Sequence, residues 1–584
     1  MNSTFTILIA IALYFIFYFT YGKHLEKNVV KADGDNKTPA QRLFDGVDYV
    51  PANKYVLFGH HFASIAGAAP IVGPAIALAW GWLPGLLWVW FGNIFIGAVH
   101  DYLSLMSSVR YDGRSVQWIA GRIIKERTGY AFSWFVLFAL ILVVAAFGAV
   151  LGNIFVAQPA VPTAYFLKII AALILGVLMY RVKLDFRLAT IIGIAMLATA
   201  IYLGKFFPIS LSYEVWMAVF FIYIVVAASI PVNILLQPRD YLNAWLLVTG
   251  LIIGGISLLI GFDTIQIPIY TEWSVPIIAG KDTPFWPVVP LIIACGSLSG
   301  FHSMVASGTT AKQLESEKQG LFIGYGAMFT EGFLSTIVIV SIGVFCYSIV
   351  SQDIAETLKS SPANFAEGYG NALKSAGGPV GMFSKSFAMA SHTALKLPMD
   401  FMIILSSMWV SSFAMTTLDT TNRIARYAFS EVLEPVKEKA PEVYNVLSQR
   451  WVASAIPAGI GIALAWSGAW SVIWPAFGGA NQMLASIALI TCAVWVTKTL
   501  GNTRALNVLI PALFLWVTVT VALIWYMFVA IPAFMESNPI QAVILGIIMT
   551  LMILLNLLLI MDFFRIWREK PEIRDQGSVV GVQK

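Results

Sequence analysis

The stretch GHHFASIAGAAPIVGP, residues 59–74, places two adjacent histidines and several helix breakers inside an apolar, span-like segment. The breakers Gly67, Pro70, Gly73 and Pro74 occupy its second half. Backbone amides and carbonyls in hydrocarbon must be satisfied internally, so irregular backbone is tolerated there only when it is buried in protein or lines a cavity. The stretch therefore predicts a broken membrane helix, and spans of this kind locate the functional site.

The composition is that of an all-α polytopic membrane protein. Of the 584 residues, 59% are hydrophobic and 11% are charged, whereas soluble domains carry about 25% charged residues. At about 20 apolar residues per crossing, the chain predicts about fifteen transmembrane helices. The net charge of +5 is interpreted as loop charge that sets orientation, not as a nucleic-acid-binding surface.

The distribution of basic residues predicts the orientation. Lys and Arg concentrate in alternate loops, as in residues 110–127 and 423–450, which makes these loops cytoplasmic. The loop 351–397, with four lysines, is the exception. The first apolar segment lacks a basic leader and a cleavage site, so it is interpreted as a retained span. The sequence therefore predicts a multi-pass plasma-membrane protein with an external N-terminus and a cytoplasmic C-terminus.

Three spans contain breakers or clustered glycines: the second (residues 59–74), the seventh (AASIPVNILLQPRDYLN) and the ninth (CGSLSGFHSMVASGTT). The second and seventh run in opposite directions, and their starts are five spans apart. Paired interruptions of this kind predict an inverted-repeat transporter with a five-plus-five core. The predicted parts are a first helix with its loop (1–54), repeat one (55–210), repeat two (211–430), and accessory spans with a tail (431–584).

Ionisable residues inside spans are costly and usually face a cavity or a partner. The candidates for ion or proton coupling are His60, His61, His100, Asp101, His302, Glu331 and Asp419. Four of them have a structural alternative: His60 and His61 as interfacial anchors, Asp101 as a local cap or partner, and Asp419 as an i,i+4 partner of Arg423. Glu331 has the best claim to burial, because it opens no helix end. Histidine titrates near neutrality, and buried carboxylates can be shifted into that range, so the set can carry a coupling proton.

Four motifs together resemble the carbon starvation protein A family: GHHFASIAGAAPIVGPAIA (59–77), DGRS (112–115), SLSGFHSMVASGTTAKQL (297–314) and WPAFGGANQMLASIAL (474–489). The resemblance covers nearly the whole chain. It implies a transporter of the amino acid, polyamine and organocation superfamily with a LeuT-type fold. It further implies uptake of peptides during carbon starvation, or of pyruvate with protons as in close relatives.

The resemblance also implies site residues. The unwound parts of spans two and seven would contact the substrate, which gives the candidates Ser64, Gly67, Ala68, Pro70, Gly73, Ser229, Pro231, Asn233 and Gln237. The superfamily's sodium-type site would fall on Ser297, Ser299 and Ser303. His302 lies among these serines, which favours a proton over sodium as the coupling ion.

Other functions stay open at this point. The histidines could ligate haem or a metal in an intramembrane redox enzyme, although adjacent histidines project about 100 degrees apart on a helix. A sodium-coupled amino-acid symporter and a nutrient sensor are further alternatives. No Walker A sequence is present, which argues against ATP-driven transport by this chain alone. The three cysteines form no zinc pattern. The sequence thus predicts a secondary transporter, not an enzyme, without a cofactor.

Overall fold

A computed structural model of the chain describes residues 1–568 except 47, 181, 183, 231, 503 and 504. In 179–180, 186–187, 232–238 and 240–241 it describes the backbone alone. Pro231, one of the predicted substrate residues, lies outside the described residues, as do the side chains of Asn233 and Gln237.

The described residues are mainly α-helical. The helices are α1 (Ser3–Phe17), α2 (Pro39–Arg42), α3 (Lys54–Ile65), α4 (Ala69–Ala77), α5 (Trp82–Leu87), α6 (Ala98–Arg110), α7 (Val116–Ile123), α8 (Glu126–Ala157), α9 (Ala160–Tyr180), α10 (Phe186–Phe206), α11 (Tyr213–Ser229), α12 (Val232–Gly261), α13 (Phe285–Ile292), α14 (Gly300–Gly308), α15 (Gly326–Ile349), α16 (Gln352–Ser360), α17 (Pro362–Ala376), α18 (Gly378–Leu395), α19 (Met399–Val432), α20 (Glu434–Lys439), α21 (Pro441–Leu447), α22 (Arg450–Ala465), α23 (Trp470–Val494), α24 (Leu506–Trp525), α25 (Ile531–Met535) and α26 (Pro539–Arg568). Strands β1 (Ser274–Ile278) and β2 (Lys281–Pro284) form an antiparallel hairpin, with Ser274 opposite Pro284.

Several helices continue through π-helical turns. The segment Trp88–Gly97 joins α5 to α6 in one helix, Trp82–Arg110. The segment Leu321–Tyr325 leads into α15 within the helix Glu317–Ile349. These two long helices carry much of the site described below.

Within the described residues, eleven helices are long and apolar enough to cross a membrane, and the pair α3–α4 makes twelve when counted as one span. Two shorter apolar helices, α11 and α22, have 17 and 16 residues. Helices satisfy their own backbone hydrogen bonds, which is what a chain in hydrocarbon requires. The prediction of an all-α, multi-pass membrane protein is confirmed.

The first break separates α3 from α4 at residues 66–68, where the helix axis bends by 50°. Ala66 leaves the helical region with ψ near 74°, and Pro70 lies in the first turn of the next helix, where its missing N–H is harmless. Gly67 leaves no room for a side chain, because a Cβ there would lie 2.8 Å from Oγ1 of Thr417. The predicted break in this span is confirmed.

The interruption predicted in the seventh span is a junction between two helices. Helix α11 ends at Ser229 and α12 begins at Val232. At 1.5 Å per residue the two helices together measure about 70 Å, more than twice the ~30 Å hydrocarbon core. Their combined length therefore exceeds a single crossing. Arg423 donates to the carbonyls of Ala227 and Ile230 (2.8 and 2.9 Å), as expected at a helix C-terminus. The chain is therefore interrupted within the predicted stretch 229–237, and the assignment of this interruption to the middle of one span stays a prediction.

A second break lies in the ninth span, which was also among the spans predicted to contain breakers. Helix α13 ends at Ile292, α14 begins at Gly300, and residues 293–299 between them are non-helical. Gly296 has φ +71°, a conformation that glycine adopts without strain. The two breaks meet, because a Cβ on Gly73 of α4 would lie 2.9 Å from Cα of Ile293.

Around the breaks, the long helices form a buried frame. Helix α8 packs against α19, α22 and α23, and α11 packs against α19 and α22. Helix α12 packs on α3, whereas α23 packs on α13 and α14. Each half of a broken helix therefore rests on a continuous helix, which fixes the position of the unwound backbone between them.

Candidate functional site

Side chains of α23 hold the backbone of the second break. Asn481 donates from Nδ2 to the carbonyl of Ala294 (2.7 Å) and accepts at Oδ1 from the amide of Phe301 (2.9 Å). Gln482 donates to the carbonyl of Ile293 (2.9 Å), and the indole of Trp474 donates to that of Ile292 (3.0 Å). These bonds replace those that a continuous helix would make. The motif WPAFGGANQ therefore stabilises an unwound segment nearly 190 residues before it in sequence.

Asn93 holds the same segment from the opposite side. Its amide nitrogen donates to the carbonyls of Gly296 (2.6 Å) and Met328 (2.8 Å), and its side chain is fully buried. It therefore joins the Trp82–Arg110 helix, the second break and the Glu317–Ile349 helix through one amide group. Asn93 was not among the residues predicted from the sequence, because a single polar residue in an apolar run carries no distinctive spacing.

A row of fully buried ionisable side chains crosses from one helix to the next. Asp101 Oδ1 lies 2.9 Å from Nδ1 of His100, and its Oδ2 lies 2.9 Å from Nδ1 of His302. On the far side of the same imidazole, Nε2 lies 3.5 Å from Oε2 of Glu331. The structure thus brings together Asp101, His302 and Glu331, which belong to different helices and were predicted separately. We name them the acid–histidine row.

The serines predicted to coordinate an ion bond to nearby groups. Ser297 donates to the carbonyl of Ile293 (3.0 Å), and Ser303 donates to that of Gly300 (2.7 Å). Ser299 is paired with the side chain of Asn481 at 3.0 Å. These hydroxyls stabilise the broken helix itself. Their role in sodium binding stays a prediction.

The two histidines of the opening stretch lie in different surroundings. His61 is fully buried, and its Nδ1 lies 2.8 Å from Oγ1 of Thr310, just after α14. His60 is half-buried, and its carbonyl accepts a hydrogen bond from Ser64 (2.7 Å). His61 therefore links the two broken helices on the side of α3 and Thr310, whereas His60 does not share that contact.

The first break consists of small residues, so the groups at it are mainly backbone amides and carbonyls. Ser335 donates to the carbonyl of Pro70 (2.7 Å), which connects α4 to the same helix that carries Glu331. Ala68 and Gly73, with the other small residues of this segment, are buried. Ser229, the remaining predicted substrate residue with a described side chain, lies at the end of α11, where its carbonyl accepts from Arg450 (3.2 Å).

Asp419 belongs to a separate buried cluster. It forms an ion pair with Arg239 and accepts from the hydroxyl of Tyr223 (3.3 Å), so Arg423 is not its main partner. Nearby on α9, Lys168 is fully buried and donates to Asn243 (2.8 Å) and Ser412 (2.6 Å). Lys168 was missed by the sequence analysis, although a lone lysine within the apolar run AYFLKIIAALIL is a signal that could have been used.

One group among the described residues could converge on a metal ion. The donor atoms of Cys295, His302 and Glu331 lie within 4.8 Å of one another, and all three residues are buried. Thiolate, imidazole and carboxylate together suit a transition metal such as zinc. The imidazole of His302 therefore has two possible uses, as a ligand or as a proton carrier between carboxylates.

Broken membrane helices that enclose buried ionisable groups are typical of secondary transporters. Residues 2–523 match the family described as "Carbon starvation protein CstA", and the chain belongs to this family. The resemblance found in the sequence motifs is thereby confirmed.

Three relatives are informative. The peptide transporter CstA of Bacillus subtilis (strain 168) is 30% identical and covers 100% of both chains. The peptide transporter CstA of Escherichia coli (strain K12) is 32% identical over 88% of this chain and 80% of its own. The pyruvate/proton symporter BtsT of E. coli (strain K12) is 29% identical over 90% and 81%. The prediction of a membrane transporter, not an enzyme, is confirmed.

Proposed function

We propose that this chain is a proton-coupled secondary transporter that takes up peptides or a small carboxylate such as pyruvate across the plasma membrane. The relatives' names support the substrate class. The observation that carries the proton coupling is the acid–histidine row, in which the His302 ring lies between the carboxylates of Asp101 and Glu331. Buried charges of this kind within membrane helices mark ion and proton pathways.

The row is built to hold one proton. A neutral imidazole has one donor and one acceptor nitrogen, and a protonated one has two donors. With a carboxylate at each nitrogen, an arriving proton converts His302 into a cation that both acids stabilise. Since His302 belongs to the second broken helix and Glu331 to a continuous one, movement of the break changes this stabilisation. Proton release is thereby linked to the conformation of the break.

The first break is proposed as the substrate-facing segment, with Ser64, Gly67, Ala68, Pro70 and Gly73 around it. The N-terminus of α4 supplies backbone amides and the positive end of a helix dipole. Both peptides and pyruvate carry a carboxylate, which suits such a site. We propose that His61 closes one side of the substrate site through its contact with Thr310 (2.8 Å).

The position of the second break supports a revised inverted repeat of the LeuT type. We assign repeat one to α3–α12 with the hairpin α9–α10 as an insertion, and repeat two to α13–α23 with α16–α18 as an insertion. The packing supports this pairing, because α12 rests on α3 as α23 rests on α14. Adding α11, α22 and the α13–α14 pair to the twelve apolar spans gives fifteen crossings. The N-terminus is then external and the C-terminus cytoplasmic.

A sodium-coupled symporter and a metal-dependent redox enzyme are the competing functions. The sodium alternative would use Ser297, Ser299 and Ser303, whose hydroxyl oxygens keep lone pairs for a cation while their hydrogens are donated. The group Cys295, His302 and Glu331 is the observation that would favour a metal. A metal-free, colourless and fully active preparation is expected.

The test is uptake by purified protein in liposomes. We expect labelled pyruvate or labelled dialanine to accumulate under an inward proton gradient and not under a sodium gradient at equal pH. Glu331→Gln should lose the gradient-driven component. Uptake that follows sodium, or no uptake of either substrate under a pH gradient, would contradict the proposal.

A thermal-shift series on the same preparation separates binding from transport. A ligand that binds the folded state raises its apparent stability. Pyruvate, dialanine and trialanine should be compared at two pH values, and the substrate should raise the midpoint more at the lower pH.

A further inference from the structure

One face of the Trp82–Arg110 helix follows the whole length of the second break. Asn93, Gly97 and Asp101 are spaced four residues apart, about one helical turn each, and therefore lie along one face. Asn93 binds the carbonyl of Gly296, and Asp101 binds the imidazole of His302. A Cβ on Gly97 would lie 3.1 Å from Cα of Leu298, so this glycine permits the helix to approach the backbone of the second break closely.

The first part of this face lies in π-helical backbone, Trp88–Gly97. Such widened turns are rare, and they occur frequently at functional sites. Here the widened turns place Asn93 where its single amide reaches two separate segments. One is the second break, through Gly296, and the other is the Glu317–Ile349 helix, through Met328.

Met328 precedes Glu331 by three residues, close to one turn of the same helix. The Asn93 amide therefore sets the distance between the segment that carries His302 and the helix that carries Glu331. Both of its donors are used, at 2.6 and 2.8 Å, and the side chain is fully buried. Without it, the carbonyls of Gly296 and Met328 would each lose a donor in a water-poor interior.

We propose that Asn93 is a positioning residue for proton coupling: it keeps Nε2 of His302 and Oε2 of Glu331 in contact, and so determines how much substrate is moved per proton. The inference rests on the proposed function and deepens it. Asn93 itself carries no titratable proton and acts through the acid–histidine row.

The titratable side chains that face this region come from every neighbouring element. They are His100 and Asp101 of the same helix, Cys295 and His302 of the second broken helix, Glu331, His61 of α3, and Tyr14 of α1, whose hydroxyl lies beside Gly332. A change at Asn93 is therefore expected to alter the pH profile of transport through these groups.

The test compares Asn93→Leu with wild type in liposomes, by two assays on the same preparation. The first is uptake of labelled pyruvate or dialanine under an inward proton gradient. The second is exchange of labelled for unlabelled substrate at equal pH, which needs no net proton transfer. We expect gradient-driven uptake to fall by between about tenfold and about 100-fold, because misplacement of a reacting group by about 1 Å has costs of this size. Exchange should be retained, and the pH profile should flatten.

Two further variants, one control and one milder substitution, complete the test. Asn153→Leu is the matched control, since Asn153 is half-buried in α8 and donates only within its own helix, to Ala149 (2.7 Å). It should leave both assays unchanged. Asn93→Ser keeps one donor and should give intermediate coupling. It replaces Asn93→Leu in both assays if that variant does not fold.

Equal loss of driven uptake and exchange in Asn93→Leu, or wild-type behaviour in both assays, would overturn the inference. Glu331→Gln separates this result from the proposed function. If Glu331→Gln is uncoupled while Asn93→Leu is normal, only the role of Asn93 is wrong. If wild type shows no proton-driven uptake, the proposed function itself is wrong.

Discussion

The two broken helices solve the same backbone problem in different ways. The first break is short, residues 66–68, and one side-chain bond near it comes from Ser335. The second break is longer, residues 293–299, and side chains of α23 and Asn93 bind its carbonyls along its length. Side chains therefore support the second break at several carbonyls, whereas the first break is short, buried and bonded within its own backbone, as from the Gly67 amide to the Ile65 carbonyl (2.9 Å).

Both broken helices carry a buried histidine, His61 on α3 and His302 on α14, but only His302 lies between two carboxylates. The acid–histidine row is attached to the second broken helix through His302, and the first break is lined by small residues such as Gly67 and Ala68. Charge in a membrane requires fixed partners, and a substrate carboxylate requires free amides. The proposed function places proton coupling at the second break and substrate recognition at the first.

The largest effect is expected for Asp101→Asn. This change removes the negative charge between His100 and His302, and proton transfer by a positioned group contributes about 100-fold or more. Gradient-driven uptake in liposomes should fall by at least that factor. The exposed pair Lys205 and Asp400 supplies the control Asp400→Asn, which should have no effect. Normal driven uptake in Asp101→Asn would contradict the assignment of the second break.

A side chain at the contact between the two breaks should come next. Gly73→Val inserts atoms against the backbone at Ile293, 2.9 Å from the position of the new Cβ. Overpacking of this kind costs about 1–3 kcal/mol or more. The midpoint of thermal unfolding in detergent and the uptake rate should both fall. Gly59→Ala is the control, since no atom lies within 4 Å of its Cβ, and an unchanged Gly73→Val protein would show that the breaks do not pack as described.

Asn481→Leu tests the side-chain support of the second break. It leaves the Ala294 carbonyl and the Phe301 amide without their partner, at about 1–3 kcal/mol for each buried group. Thermal stability should fall, and proton-driven uptake should fall with it. Thr491→Val, on the same helix, removes a hydroxyl that bonds within α23 (2.9 Å) and should cost less. Equal stability of the two variants would contradict this support.

The smallest effect is expected at the first break. Ser335→Ala removes the hydrogen bond to Pro70 (2.7 Å), which is worth about 0.5–1.5 kcal/mol. The half-saturation concentration for substrate should rise more than the maximal rate falls. Ser391→Ala, which removes a buried hydroxyl bonded within α18 (2.8 Å), should leave both unchanged. A loss of proton coupling in Ser335→Ala would place the two functions in one break.

The sequence predicted the parts of the molecule that depend on local composition. The apolar runs predicted the membrane helices, and Gly67 and Pro70 predicted the first break. It also identified Asp101, His302 and Glu331, because ionisable residues inside spans are conspicuous. Their convergence into one row depends on packing between helices far apart in sequence, which periodicity does not show.

The support of the second break could not be predicted from the sequence. The glycines of CGSLSGFHSMVASGTT marked its place, but not the contacts that keep the backbone unwound there. The second break has Gly296 in a left-handed conformation, and its support comes from Asn481 and Asn93, whose partners lie far away in sequence. Tertiary hydrogen bonds, not local breakers alone, decide where a membrane helix stays unwound.

The ratio of protons to substrate taken up by liposomes tests the central claim most directly. It should be measured in wild type, in His302→Gln and in the control His392→Gln, whose side chain is exposed. We predict a fixed ratio in wild type and in the control, and no substrate-linked proton entry in His302→Gln. Substrate-linked proton entry that persists in His302→Gln would contradict the assignment of proton coupling to the second break.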